Sequence, residues 1–358
     1  MDESTRADLA NRFRYAISPE DHARVPAYGA LSLALANSEV AIDLLYAVRP
    51  EQRNSMLIFA GLHDLALLGH EDLTPLYDDL RRGGGVSPDE FAARVVAVVE
   101  ADPSLLTPYL DRATQTNEVN RSATIQAVLR VLCARGLREV NLVDVGTSAG
   151  LNLFADLLQV RSTDDGDPLT LVSESLSGPW PSAPLPRVVS RVGLDPNPLD
   201  ISNADDLRWL RACLWPEDVR RRERVDAVVS HAPNWPQRQI LAGTATAVLD
   251  DALALTEPGV PTLVLHTWVA AYFEPAEQAA FGKRMRELTA TRDIYWLYLE
   301  WPRAVPHLGP PEAHEPPPRA GASQIVVTEP GGEPTSWGWS HSHGHWVSLD
   351  PSVLGPKA

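Results

Sequence analysis

Apolar residues recur at helical spacing through the first third of the chain. Leu31, Leu33, Leu35 and Ala36, then Val40, Ile42, Leu44 and Leu45, mark two short apolar stretches. Residues 56–69 are apolar nearly all round, yet too short to span a membrane, so they predict a buried helix. Phe91, Val95, Val96, Val98 and Val99 form another helical stripe. Nothing in residues 1–118 alternates with period two for long, so this part predicts helices and no sheet.

The pattern changes near residue 120. Ile125, Val128, Leu129, Leu132 and Cys133 keep helical spacing until Gly136 ends that helix. Residues 140–145 form a short apolar strand, residues 146–150 a glycine turn, and residues 151–160 open a new helix. Further strands are predicted at 188–194, 239–242, 262–267, 294–300, 324–328 and 346–349, with helices at 217–230, 246–255 and 276–290. Strands alternating with helices imply an α/β fold with a mostly parallel sheet. The last two strands have no helix between them and predict an antiparallel hairpin at the sheet edge. Residues 161–187 and the proline-rich 302–321 read as irregular insertions. The predicted organisation is an all-helical N-terminal cap at 1–118 and an α/β domain at 119–358.

Composition narrows the partners. With 31 basic and 47 acidic side chains the net charge is −16, and no basic stripe exists, which argues against nucleic-acid binding. No apolar run reaches membrane-spanning length, and the first residues are acidic and polar, unlike a secretory signal. Cys133 and Cys213 are the two cysteines, too few for a disulfide framework, so a reducing cytoplasmic location is expected. All ten tryptophans fall at or after Trp180, so the two parts of the chain differ in kind.

Gly146-Thr147-Ser148-Ala149-Gly150 fits two patterns. As Gly-x-Ser-x-Gly it is the nucleophile elbow of α/β-hydrolases, with Ser148 as nucleophile. Read with Asp144 as Asp-Val-Gly-x-x-x-Gly, it resembles the first motif of class I S-adenosylmethionine-dependent methyltransferases, whose glycines let the backbone approach the cofactor. About 115 mostly helical residues precede the turn, whereas a hydrolase elbow follows several strands. Leu151 follows Gly150 where a small residue is usual. The next strand ends at Asp195, the acceptor that a ribose hydroxyl pair needs. These features favour the cofactor reading.

The chain also resembles a bacterial family, domain of unknown function 2332, whose fold is regarded as methyltransferase-like. The resemblance runs through His63-Asp64, Gln115-Thr116-Asn117-Glu118 with Arg121, and the segment from Leu142 to Asn152. It continues through Gly193-Leu194-Asp195 with Asn197-Pro198, Asp206 to Trp209, Leu214-Trp215-Pro216, His266, and His341-Ser342-His343-Gly344 before Trp346. It implies a Rossmann-like fold and S-adenosylmethionine as cofactor, but no reaction. In such a fold Gln115, Asn117, Glu118 and Arg121 cap the cofactor pocket, with Arg121 forking onto a carboxylate and Glu118 holding an ammonium. Asn117 or Asn120 can equally cap the following helix. Thr244 stands where the family tends to have an acid for the adenine amino group, and its hydroxyl can still accept a hydrogen bond.

His266 ends a central strand and suits a general base. His341, His343 and His345 would share one face if extended, and His341 and His343 are candidates for substrate contact. A hydrogen-bonded hairpin explains the cluster better than a metal, and no metal is expected. His63 and Trp268 are candidates for a substrate pocket, although His63-Asp64 can equally be a satisfied core pair. The expected function is methyl transfer from S-adenosylmethionine, held at Asp144, Gly146, Ser148, Gly150, Asp195 and Asn197, to a small molecule. The alternatives are a serine hydrolase using Ser148, and a binding or regulatory protein that has lost catalysis.

Overall fold

A computed structural model of the chain describes residues 2–17, 19–319 and 321–354. The outer ends of both predicted domains, residues 1 and 355–358, and Ala320 of the second predicted insertion lie outside these. The chain divides into two compact units, Met1–Thr116 with Leu199–Glu223, and Asn117–Pro198 with Arg224–Ala358. Residues 199–223, read from the sequence as part of the α/β domain, therefore belong with the helical segment.

The first unit contains α1 (Glu3–Arg14), α2 (Pro19–His22), α3 (Pro26–Leu35), α4 (Glu39–Ala47), α5 (Met56–Leu67), α6 (Leu73–Arg81) and α7 (Pro88–Ala101). No strand occurs among its described residues. Helix starts follow local chemistry: Ser38 and Ser87 accept from the main chain of the first turns of α4 and α7, and Pro88 needs no donor at its position. α5, apolar on nearly every side, is buried on nearly every side. No single helix among the described residues is long and apolar enough to cross a membrane.

The second unit opens with α8 (Ser122–Ala134) and β1 (Glu139–Val145). The strands β2 (Gln159–Arg161), β3 (Thr170–Val172), β4 (Glu174–Ser175) and β5 (Arg187–Asp195) follow. α9 (Ala204–Ala212) lies in the first unit, and the division at residue 223 falls inside α10 (Val219–His231). The chain continues as β6 (Gln239–Ala242), α11 (Ala245–Ala254), β7 (Thr262–Thr267), α12 (Pro275–Thr291) and β8 (Ile294–Glu300). It closes with β9 (Ala322–Thr328), β10 (Thr335–His341) and β11 (Trp346–Leu349).

Nine strands form one sheet in the order β4-β11-β10-β9-β8-β7-β1-β5-β6, and β2 pairs separately with β3. From β6 to β8 every pairing is parallel; β8 to β11 pair antiparallel, and β4 adds a parallel edge. The chain runs outward from β1 through β5 to β6 and returns to β7 on the other side of β1. The crevice at the carboxyl ends of β1 and β7 is thus the topological switch point, where open α/β sheets bind ligands.

Side chains alternate between two cores, as strand geometry requires. Leu142, Leu263, Leu265, Leu297 and Leu299 pack with Ile125, Val128, Leu129 and Leu132 of α8. Val143, Val145, Val264, Trp296 and Tyr298 pack with Leu249 of α11 and Phe281, Met285 and Leu288 of α12.

Three predicted elements differ. The stretch after the glycine turn is a seven-residue 3-10 segment, Leu151–Leu157, broken at Phe154, and then β2. Arg191 of β5 holds Leu153 O and, as a fork, the Asp156 carboxylate, which fixes a kinked path. The C-terminal hairpin is a meander, because β10 lies between β9 and β11. The 161–187 insertion contributes β3 and β4, so it is not wholly irregular.

Candidate functional site

Asp144 shares the α8-facing side of β1 with Leu142. It is 3% exposed, and its Oδ2 accepts the Thr147 hydroxyl at 2.9 Å. Burial pushes its carboxyl up to about 7; the Thr147 hydroxyl and the Arg121 cation oppose this, and the Asp195 charge reinforces it.

The glycine turn folds back on β5. Gly146 N–H and Thr147 N–H both donate to Leu194 O, at 2.8 and 3.1 Å. Ser148 N–H donates to Asp195 Oδ2 at 2.9 Å, and Asn197 N–H to Asp195 Oδ1 at 2.8 Å. Leu151 N–H donates to Asn117 Oδ1 at 3.1 Å. Gly146 and Gly150 take φ of 70° and 71°, and a Cβ on Gly146 would lie 2.3 Å from Val269 Cγ2. Glycine is required here so that the loop after β7 can pack on the turn. Ser148 also has positive φ, 55°, which costs a non-glycine residue roughly 1–2 kcal/mol. Its Oγ is buried and has no hydrogen-bond partner. No histidine or carboxylate among the described residues engages it as a catalytic base would.

Two polar motifs more than two hundred residues apart in sequence meet here. Arg121, 5% exposed, donates from Nε to Ser342 O at 2.7 Å and from Nη1 to Thr267 O at 3.0 Å. Asn120 Nδ2 donates to His343 O and Val172 O. A Cβ on Gly344 would lie 2.2 Å from Asn120 O, so only glycine permits this approach. Arg121 thus spends two donors on main-chain carbonyls, where a fork onto a ligand carboxylate was expected. Neither asparagine caps α8: Glu118 Oε1 accepts Asn120 N–H at 3.0 Å and caps the 3-10 turn Val119–Arg121.

His341, His343 and His345 sit at the end of β10 and in the turn beyond it, not along an extended strand. Their ring centroids are 4.7–6.3 Å apart. His343 N–H donates to His341 Nδ1 at 3.0 Å, which puts the proton of neutral His341 on Nε2. His343 Nδ1 lies 4.0 Å from Glu118 Oε2. Among the described residues no group of three or more histidine, cysteine or acidic side chains is arranged to hold a metal ion.

His266 faces the α12 layer and is fully buried, stacked on Tyr298 at 5.3 Å. Its Nδ1 donates to Glu300 Oε1 at 2.9 Å; Nε2 has no partner. The same carboxylate oxygen accepts Val269 N–H and Ala270 N–H, at 2.8 and 3.0 Å. The pair therefore anchors the loop that follows β7. Trp268 opens that loop with φ 57° and donates its indole N–H to Ser323 Oγ at 2.6 Å. Two strained residues, Ser148 and Trp268, thus follow the neighbouring strands β1 and β7. Such strain persists where the surroundings fix it, often at functional sites.

Thr244 is exposed, its Oγ1 3.4 Å from Thr246 Oγ1. In the first unit, Gln115 N–H points to Cys213 Sγ at 3.4 Å. His63 Nδ1 lies 3.1 Å from both Ala212 O and Leu214 O, and Asp64 binds Arg208 Nε and the Tyr109 hydroxyl, both at 2.9 Å. Asp64 is thus a satisfied core carboxylate, whereas His63 Nε2 is buried without a hydrogen-bond partner. Burial lowers the His63 pKa to about 4.

Thr147, Thr267 and Glu300 join the cluster at the switch point although the sequence reading gave them no site role. Glu300 carried one usable signal, an acid at the carboxyl end of a strand next to one ending in histidine.

A family model described as an uncharacterised protein conserved in bacteria, domain of unknown function 2332, matches residues 10–349. The chain belongs to this family. No curated protein matches the chain. The family supplies no activity, so the chemistry of the switch point has to be argued from its residues.

Proposed function

We propose that the second unit binds S-adenosylmethionine at the switch point and transfers its methyl group to a small molecule. The observation that carries this reading is Asp195, a carboxylate at the end of the strand after the glycine turn. Each of its oxygens accepts one main-chain N–H and keeps a second acceptor site for a ribose hydroxyl pair. The strand order from β6 to β8 supports it, because it is the Rossmann-like order around a central first strand.

The residues fit the ribose end of such a cofactor, where the buried Ser148 Oγ has no hydrogen-bond partner and the Ser148 N–H donates to Asp195 Oδ2. At the amino-acid end, Glu118 would take the ammonium, while Arg121 contributes positive charge rather than a free fork. When bound, the cofactor supplies an activated methyl group. The chain's own work is then to orient the acceptor and take up its proton. Of the three histidines expected to do this, His266 is enclosed and bound to Glu300, which leaves the His341 and His343 pair at the end of β10. Titration calorimetry with S-adenosylmethionine and S-adenosylhomocysteine tests the reading. Saturable heat from either supports it, and none from both at several hundred micromolar, about 5 kcal/mol of binding free energy, removes it.

A further inference from the structure

The loop after β7 is held unusually firmly for a surface connection. Trp268 is tied to Ser323, Val269 fills the space beside Gly146, and Glu300 binds the main chain of Val269 and Ala270. Gln278 Nε2 holds Ala270 O at 2.8 Å, and Tyr272 N–H donates back to Val269 O at 2.9 Å. Ala270 is fully buried. Yet the loop ends by exposing Tyr272 to 68%. Leaving such a ring in water forgoes about 1.5–3 kcal/mol of burial. A rigid support that presents one exposed aromatic side chain is how binding anchors are built.

The loop that carries Tyr272 lies at the switch point, since Val269 packs on Gly146 of the glycine turn and Glu300 at the end of β8 binds its main chain. Although the ring is exposed, its hydroxyl is desolvated and raised above the ordinary tyrosine range; the Arg121 cation opposes this and the Glu300 charge adds to it. Arg121 and Glu300, the two charges that act on it, both belong to the switch point. Trp301, 44% exposed, follows β8 directly, so the adjacent strand end carries a second accessible ring.

We propose that Tyr272 contacts the methyl acceptor at the switch point, and that the acceptor is a compound with a flat aromatic face. This rests on the methyl-transfer reading above. Stacking on tyrosine favours an aromatic over a saturated ring of the same size, and the neutral phenol offers one donor beside it.

The test uses the full chain with phenol and cyclohexanol as probes, read by saturation-transfer NMR, on wild type, Tyr272→Ala and Tyr272→Phe. Phenol is expected to bind wild type more tightly than cyclohexanol does. Tyr272→Ala is expected to weaken phenol about fivefold or more, the 1 kcal/mol scale of one ring contact, with recovery in Tyr272→Phe. Failure of phenol to bind wild type, or equal binding to Tyr272→Ala, overturns the proposal. So does a large loss of thermal stability in Tyr272→Ala, which would make the ring structural. S-adenosylhomocysteine affinity is measured on the same three proteins and is expected to be equal. If it is absent in all three, the cofactor reading fails, while the phenol comparison still decides whether Tyr272 is an aromatic anchor.

Discussion

Glu300→Ala probes the support of the loop after β7. In the native chain one oxygen, Oε1, accepts from His266 Nδ1, Val269 N and Ala270 N, and Glu300 is fully buried. The change removes the acceptor from three donors at once. Two are main-chain groups that cannot turn away. Each buried donor left unsatisfied costs about 1–3 kcal/mol, so three give roughly 3–9 kcal/mol. Removing a buried carboxylate returns part of this, because an isolated charge in the interior is itself unfavourable. A net loss of about 3 kcal/mol is expected, a large share of the 5–15 kcal/mol typical of a domain. Glu300→Gln keeps a carbonyl oxygen in place and is expected to lose less than half as much. Urea unfolding followed by tryptophan fluorescence reads the second unit well, since eight of the ten tryptophans lie in it. If Glu300→Ala stays within about 1 kcal/mol of wild type, or Glu300→Gln is equally damaging, the anchoring role is wrong.

Ser148→Gly is expected to stabilise the chain by about 0.5–1 kcal/mol, because glycine accepts the left-handed backbone without strain, while weakening S-adenosylhomocysteine if the Ser148 hydroxyl contacts it. A Ser148→Gly protein that loses stability in chemical denaturation contradicts the strain argument. Titration of the two units is expected to run in opposite senses. His63 has a folded pKa of about 4, below its unfolded 6.5, so its contribution is complete above pH 6.5 and falls by about 3 kcal/mol as pH drops to 4. Asp144 has a folded pKa of about 7, above its unfolded value, so stability falls as pH rises from about 4 to 7, and Asp144→Asn removes that fall. Hydrogen exchange of α5 and of β1 at pH 5 and pH 7.5 separates the two: α5 is expected to gain protection and β1 to lose it as pH rises, and a change of the other sign in either element contradicts the reasoning for that element.

The sheet was legible in the sequence where strands are continuous apolar runs between turn residues. The predicted limits of β6, β7, β8 and β11 coincide with the structure. β10 was not legible, because Thr335 to His341 is full of polar and aromatic residues and bends at Gly338, where the register shifts. Residues 151–160 have helical spacing but are turned aside by Arg191, a tertiary contact that no local pattern carries. The assignment of residues 199–223 to the first unit is equally invisible, since spatial clustering ignores chain order.

At the candidate site, the proximity of Asp144, Ser148 and Asp195 was legible, because adjacent parallel strands end together. The joining of Arg121 to Ser342 was not, as more than two hundred residues separate them. The exposed Tyr272 left no mark in the sequence at all.

The central claim is that Asp195 holds a ribose at the switch point. Calorimetric titration of S-adenosylhomocysteine into wild type and Asp195→Asn tests it most directly. Asparagine keeps one acceptor but turns a donor toward either Ser148 N–H or Asn197 N–H, so the charge-assisted pairing is lost. Saturable binding to wild type, weakened about tenfold or more in Asp195→Asn, is the expected result. Equal affinity in the two proteins, or no binding to wild type, contradicts it.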